Sequence, residues 1–244
     1  MASSSALRSS DFQFESRGGE TTRLETFIDA AFAFALTLLV ISFDAVPTNF
    51  TDLTNALKAV PAFLFGFALL IMFWFGHRNW SIRYGLDTTA AALLSLTLIF
   101  VLLVYVYPLR AMATAATSAM TNGWLPNEFT ISTSSEARGL FVIYGIGYAV
   151  ANACLVGLNL HAYKLREHIG LTAQEAYFTR VEIISWVIVG SLGLVSAILA
   201  VMLPLQMLSM AGWIYASLAI IMPIFGRTVE KRFDRRFGAS TGGQ

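Results

Sequence analysis

The chain has 244 residues, of which 56% are hydrophobic and 13% charged, and its formal net charge at pH 7 is +1. Soluble globular domains carry roughly 25% charged residues, so the composition argues against a water-soluble fold, and the small net charge argues against a nucleic-acid binder. The charges cluster in the N-terminal arm, in a few connections and near the C-terminus. This distribution is typical of membrane spans joined by loops.

Six apolar windows are long enough to cross a bilayer, whose hydrocarbon core of about 30 Å needs about 20 helical residues. The predicted spans cover about residues 27–46, 60–80, 90–109, 139–163, 183–203 and 205–225. We therefore predict an all-α integral membrane protein with six transmembrane helices per chain. The transmembrane domain comprises residues 23–226, between an N-terminal arm at 1–22 and a tail at 227–244.

The connections between spans have their own patterns. Residues 48–58 place Phe50, Leu53 and Leu57 on one helical face, which predicts a short interfacial helix before span two. The polar residues 110–138 predict an extramembrane loop, with a candidate helix over 111–120. Pro204 between spans five and six predicts a tight helical hairpin, and the glycines of span four predict a face for close packing.

The orientation is predicted from the Lys and Arg residues. With a cytoplasmic N-terminus, three of the 16 Lys and Arg residues fall outside, namely Lys58, Arg110 and Arg138, and the other thirteen fall inside. Cytoplasmic segments are enriched in Lys and Arg. We therefore predict a multi-pass protein of the cell membrane with both termini in the cytoplasm.

Ionisable side chains inside or beside a span are costly and are functional candidates by default. Arg23 and Asp29 lie at the start of span one, and His77 lies near the end of span two on the same predicted side. Asp29 and His77 are therefore a candidate hydrogen-bonded pair. Such a pair serves either as a structural link or as a sensor, and the sequence leaves both open.

Two motifs resemble those of the transmembrane protein 175 family of endosomal and lysosomal potassium channels and their prokaryotic one-repeat relatives. Arg23, Phe27 and Asp29, followed by an Ala- and Leu-rich helix, are similar to the family's Arg-x-x-x-Phe-Ser-Asp motif. Trp74 and His77 in Phe-Trp-Phe-Gly-His-Arg are similar to its aromatic-Trp-x-x-His-basic ending of span two. The resemblance covers about residues 20–110.

This resemblance implies a homotetramer in the bilayer with a central potassium pore lined by the first helix of each chain. It places the narrowest rings of apolar side chains at Phe34, Leu38 and Ile41, with the hydroxyls of Thr37 beside them. It also assigns Arg23, Phe27, Asp29, Trp74 and His77 to the motif and gating network. Potassium ions are the expected permeant species, and no cofactor or metal site is expected.

The residues themselves support the pore face only in part. Phe34, Leu38 and Ile41 share one face of a helix, and the alanines between positions 30 and 35 allow close helix approach. A stripe of side chains facing lipid would look the same. The sequence also departs from the family, because Ile28 replaces the Ser of the motif and Phe34 replaces the usual Ile or Leu.

Two other classes of function require different residues from a channel. A secondary transporter or proton-linked permease needs a titratable group in the membrane, for which Asp29 with His77 is the candidate. An intramembrane enzyme needs metal ligands or an activated nucleophile, but the three histidines have no metal-binding spacing. We predict a protein that is not an enzyme, with the transporter as the alternative to the channel.

Overall fold

In a computed structural model of the chain, residues 13–19, 21–41, 48–127 and 129–237 are described, and all regular structure among them is helical. The order is α1 (Arg23–Ile41), α2 (Phe50–Tyr84), α3 (Thr89–Met120), α4 (Ser134–Lys164), α5 (Ala173–Met202), α6 (Met210–Trp213) and α7 (Leu218–Phe237). Two 3₁₀ turns, Leu205–Met207 and Ile214–Ser217, flank α6.

The predicted all-helical membrane architecture is confirmed. Among the described residues, 5 helical segments are long and apolar enough to cross a membrane, namely α2, α3, α4, α5 and the segment Leu205–Phe237. The remaining long helix, α1, has 19 residues. The end of predicted span one, at 42–46, lies outside the described residues.

The separate interfacial helix predicted at 48–58 is wrong, because α2 runs without a break from Phe50 to Tyr84. Asn49 caps this helix by accepting a hydrogen bond from the Asp52 amide at 2.9 Å. Pro61 lies inside α2, and the helix continues through it. The apolar residues before Pro61 therefore belong to the first turns of the second spanning helix.

The loop predicted at 110–138 begins later than expected, because α3 continues past Pro108 to Met120. Residues 111–114 are buried, so this extension is packed structure. The hydroxyl of Thr117 donates to the Ala113 carbonyl at 2.9 Å, and that of Thr121 donates to the Thr117 carbonyl at 2.8 Å. The candidate helix predicted over 111–120 is therefore correct, and it is the C-terminal part of α3, with Thr121 as its C-cap.

The last predicted span is interrupted. After α5 ends, Pro204 is followed by a 3₁₀ turn, the four-residue α6 and a second 3₁₀ turn before α7 begins. The guanidinium of Arg138 on α4 donates to the carbonyls of Ala200 at 2.6 Å and Leu203 at 2.7 Å. This cation satisfies carbonyls at the C-terminus of α5, where helix ends lack partners. A tight hairpin of two continuous helices is predicted at Pro204; α5 ends just before this residue, but the segment after it is not a single helix.

The helices form a bundle in which α1 occupies one edge. The most extensive packing joins α4 to α5, α3 packs on α4 and α2, and α1 packs on α2 and α3. At the other edge, α6 and α7 pack against α5 and the 3₁₀ turn beside it. The shared core contains the fully buried side chains Leu70, Phe73, Leu98, Leu102 and Leu155.

The contact between α4 and α5 depends on two glycines. A Cβ on Gly145 would lie 2.3 Å from the Gly193 carbonyl oxygen, and one on Gly193 would lie 2.4 Å from the Gly145 carbonyl oxygen. We expect Gly145→Ala to lower the free energy of unfolding by about 1–3 kcal/mol, the usual cost of overpacking. The midpoint of thermal unfolding in detergent measures this loss of stability. Gly139→Ala is the matched control on α4, because nothing lies within 4 Å of its added methyl group, and an unchanged midpoint for Gly145→Ala would contradict the prediction.

Candidate functional site

The first turn of α1 is tied to the end of α2. The Thr22 amide donates to Glu25 Oε2 at 2.6 Å, and the Glu25 amide donates to Thr22 Oγ1 at 3.1 Å. This reciprocal pair is a capping box, which fixes the start of a helix. The second carboxylate oxygen of Glu25 accepts a hydrogen bond from the Ser81 hydroxyl on α2. The position of α1 is therefore set by α2 at this end.

Asp29 makes its contact with α2 through Trp74. The indole Nε1–H of Trp74 donates to Asp29 Oδ1 at 2.8 Å, and the Arg78 guanidinium lies 5.6 Å from the Trp74 ring centroid. The predicted hydrogen bond between Asp29 and His77 is wrong, because His77 faces α3 and Trp74 faces α1. The structure thus joins two of the five motif residues directly.

His77 is buried and pairs with α3. Its Nε2 lies 2.9 Å from the Ser95 hydroxyl, and both side chains are buried. We expect Ser95→Ala to lower the free energy of unfolding by about 1–3 kcal/mol, because the His77 nitrogen loses its buried partner. Thermal unfolding again measures the effect. The matched control is Thr97→Ala, since the exposed Thr97 hydroxyl only bonds its own helix at Leu93, and equal midpoints for the two variants would contradict the prediction.

The other two motif residues, Arg23 and Phe27, are exposed at the start of α1. The family's Ser is replaced by Ile28, which is fully buried in the core. The apolar Ile28 packs at this position without needing a hydrogen-bond partner.

The helix α1 has one buried and one exposed face. The buried face consists of Ile28, Phe32, Ala35 and Leu39. The exposed face consists of Phe27, Ala30, Ala33, Phe34, Thr37 and Val40, and we call it the exposed α1 face. Of the predicted pore residues, Phe34 and Thr37 belong to this face, Leu38 is partly buried against the core, and the side chain of Ile41 lies outside the described part.

The Thr37 hydroxyl has a defined direction. Its Oγ1–H donates to the Ala33 carbonyl of the preceding turn at 2.9 Å. Because the hydroxyl proton is used within the helix, the oxygen lone pairs point away from it. Oxygen lone pairs are the ligands that hard cations prefer, so this side chain is able to contact a cation but not to donate to an anion.

A buried ion pair, which no sequence motif predicts, joins the N-terminal arm to α5. Arg17 donates from both terminal nitrogens to the Glu175 carboxylate oxygens, each at 2.8 Å, and its Nε donates to the Ile169 carbonyl at 2.9 Å. The Glu175 side chain is 3% exposed. Hydrogen bonding to Glu175 raises the pKa of the Arg17 guanidinium, although burial opposes this. Only the Thr-x-x-Glu pattern at 172–175 hinted at Glu175, and nothing marked Arg17.

The arm also bonds to the end of α2. The amides of Arg17 and Gly18 both donate to the Ile82 carbonyl, at 3.1 and 3.0 Å. Gly85 has φ of 57°, and a Cβ there would lie 2.5 Å from the Arg17 carbonyl oxygen, so glycine is required for both its conformation and the close approach. The part of the arm that the structure describes, residues 13–19, is thus packed against this end of the bundle. Within the described ranges, no three His, Cys, Asp or Glu side chains are grouped as metal ligands.

Known proteins share both the sequence and the fold. The family model described as endosomal/lysosomal potassium channel TMEM175 matches residues 23–108. A protein of Marivirga tractuosa named as a potassium channel is 33% identical over 230 residues, which are 91% of this chain and 93% of that protein. The crystal structure of a variant of the potassium channel MtTMEM175, bound to a nanobody–MBP fusion protein, matches with a TM-score of 0.77 and 32% identity over 89% of this chain and 97% of that chain.

Proposed function

Since the chain belongs to the TMEM175 family, we propose that it is a potassium-permeable cation channel whose pore is lined by the exposed α1 face and closed by a hydrophobic constriction. The family and the matched relatives carry the name of potassium channels. Membership in this family confirms the prediction that the chain is not an enzyme. Potassium ions are the permeant species of the proposal, and it requires no cofactor.

The observation that carries the proposal is the position and composition of α1. This helix lies at the edge of the bundle, packed on α2 and α3. Its exposed face combines small residues, Ala30 and Ala33, with Phe34, whose side chain is 55% exposed. Small residues allow helices of neighbouring chains to approach closely. One chain cannot enclose an axis with a single helix, so the channel is a ring of chains, which we propose to be a homotetramer.

The constriction is formed by Phe34 from each chain, with Leu38 and Ile41 as further apolar rings towards the other end of α1. An apolar ring empties of water when it is narrow and thereby stops ions. The four Thr37 hydroxyl groups lie about one turn beyond Phe34. Their outward lone pairs replace part of the water that a potassium ion loses as it passes.

The motif residues Arg23, Phe27, Asp29, Trp74 and His77 set the position of α1 in this proposal. The contact between Asp29 and Trp74 joins α1 to α2, and the contact between His77 and Ser95 joins α2 to α3. A movement of α1 that widens the pore must either carry α2 with it or break the contact at Asp29. These residues therefore form the gating network.

The proposed orientation has both termini in the cytoplasm and the chain in the cell membrane. The arm and the end of α7 both contact the first turns of α5, through Glu175 and Tyr177 respectively. They therefore lie at the same end of the bundle. The excess of Lys and Arg in the segments assigned to this end supports its assignment to the cytoplasm.

The experiment combines ion flux with oligomeric mass. Purified protein in liposomes should pass potassium down its gradient faster than sodium, and the detergent-solubilised protein should have the mass of four chains. If the protein is a tetramer and passes neither ion, the wild-type channel is not open under those conditions. Flux through the Phe34→Ala variant is then measured. A monomer would contradict the channel and favour the secondary transporter that uses Asp29.

A further inference from the structure

The end of α7 beside the start of α5 carries a dense group of exposed cations. Residues 227–237 contain five exposed Lys or Arg side chains and two exposed carboxylates. The cations are Arg227, Lys231, Arg232, Arg235 and Arg236. We call them the α7 basic face. Helix continuity to Phe237 keeps all five on one rigid element.

The α7 basic face is held in place by aromatic packing on its opposite side. Phe233 is fully buried, with its ring centroid 5.0 Å from that of Phe178 and 5.8 Å from that of Tyr177 on α5. The Tyr177 hydroxyl donates to the Val229 carbonyl at 3.0 Å. This packing fixes the rotation of α7 about its axis.

The charges are segregated around the helix. At about 100° per residue, the five cations span about 180° of α7, from Arg227 to Arg236, and the centre of this arc lies about 150° from Phe233. The carboxylates of Glu230 and Asp234 lie together on one flank, next to Arg227. A helix whose charges served only solubility would mix both signs around its exposed surface. The basic half therefore presents a continuous positive surface away from the bundle.

The depth of this surface matches that of lipid headgroups. Tyr177 and Phe178, which hold Phe233, precede predicted span five at residue 183 by about 8 Å along the helix. The headgroup layer is roughly 5–8 Å thick on each side of the hydrocarbon core. With span five beginning at residue 183, as the sequence predicts, the cations that flank Phe233 lie at the level of the headgroups.

Further guanidinium groups lie at the same end. Arg166 and Arg180 both stack on the Tyr163 ring, each 4.9 Å from its centroid, and Arg180 also donates to the Tyr163 hydroxyl. Arg180 is on α5, less than a turn after Tyr177. Two like charges on one ring repel each other. The Glu167 carboxylate, 3.1 Å from Arg166, reduces that repulsion in part, and a further anion near the two guanidinium groups reduces it further.

We propose that the α7 basic face, together with Arg166 and Arg180, binds the phosphate groups of anionic phospholipids in the leaflet on this side of the membrane. Clusters of four to eight Lys or Arg residues next to a spanning helix attract anionic lipid. In the proposed orientation this is the cytoplasmic leaflet. The proposal depends on the membrane position of the bundle and not on ion conduction.

Native mass spectrometry of the detergent-purified chain tests the proposal, with phosphatidylglycerol and phosphatidylcholine added in equal amounts. The wild type should retain phosphatidylglycerol preferentially. The combined variant Lys231→Gln, Arg232→Gln, Arg235→Gln and Arg236→Gln should lose this preference, with affinity falling roughly fivefold for each cation removed. Equal retention of both lipids by the wild type, or an unchanged preference in the variant, would overturn the proposal.

Two single variants test whether phosphatidylglycerol retention depends on the charge of the α7 basic face, and one competitor tests whether the site binds lipid or free phosphate. Glu230→Gln, on the same helix, should strengthen phosphatidylglycerol retention, because it removes a negative charge from the flank of the surface. Lys58→Gln, in the first turns of α2 and far from the α7 basic face, should leave phosphatidylglycerol retention unchanged. Excess inorganic phosphate should not displace the lipid, and displacement would indicate a site for free phosphate instead. Because no ion flux is measured, failure here is distinguishable from failure of the channel.

Discussion

Phe34→Ala should raise potassium flux through liposomes at least about tenfold, which corresponds to a barrier lowered by about 1.4 kcal/mol. Phe34 is the largest side chain at the middle of the exposed α1 face. Replacing its ring by a methyl group in each of four chains widens the proposed constriction and lets water remain in it. Flux of sodium should rise by a larger factor than flux of potassium, because a wider pore passes hydrated ions of both kinds.

Phe100→Ala is the matched control for this prediction. Phe100 on α3 is 69% exposed, so its substitution removes a ring of the same size from the surface of another helix. Its flux and its ion preference should equal those of the wild type. If Phe34→Ala remains tetrameric and has wild-type flux, Phe34 is not part of the constriction.

Arg17→Ala should release the N-terminal arm from the bundle. The change leaves the Glu175 carboxylate, which is 3% exposed in its side chain, without the cation that neutralises it. Removing one partner of a buried ion pair costs about 3–5 kcal/mol. We therefore expect the Gly18 amide, which donates to the Ile82 carbonyl, to exchange its hydrogen at least about a hundredfold faster.

Glu15→Gln provides the control, because Arg17 also pairs with Glu15 at 3.3 Å, and that carboxylate is 75% exposed. Exposed ion pairs contribute about 0–1 kcal/mol, so exchange at Gly18 should change by less than about fivefold. The double variant Arg17→Met with Glu175→Gln should recover much of the protection, since no buried charge remains unpaired. Equal protection in Arg17→Ala and the wild type would show that the backbone hydrogen bonds alone hold the arm.

The helical membrane fold followed from the length of the apolar windows, because each span needs the same length of helix in any sequence. The ends of the helices did not follow from it. The sequence predicts a loop at 110–138 with a candidate helix over 111–120, but that helix is continuous with α3. Residues 205–217 suggested a continuous helix, but they form two 3₁₀ turns and α6. Polarity and hydropathy do not show where an α-helix ends or where 3₁₀ turns interrupt it.

The candidate site was predictable where a motif marked it and not where contacts came from distant parts of the chain. The motif identified Asp29 and Trp74, which the structure joins. The predicted location of Asp29 and His77 on the same side of the membrane suggested His77 as the partner of Asp29 instead. Which face of α2 meets α1 depends on packing, which spacing alone does not determine. Arg17 and Glu175 are 158 residues apart, and no local pattern connects them.

In the proposed channel, the exposed α1 face lines a water-filled ion path. Thr37→Cys in a Cys154→Ala background makes this path accessible to a single thiol reaction, because Cys154 is the single cysteine of the chain. A charged, water-soluble thiol reagent should modify Thr37→Cys in conducting liposomes and stop potassium flux, whereas Ile143→Cys, on the exposed side of α4, should leave flux unchanged. Continued flux after treatment, with the cysteine at 37 unmodified, would place this face of α1 against lipid and contradict the account.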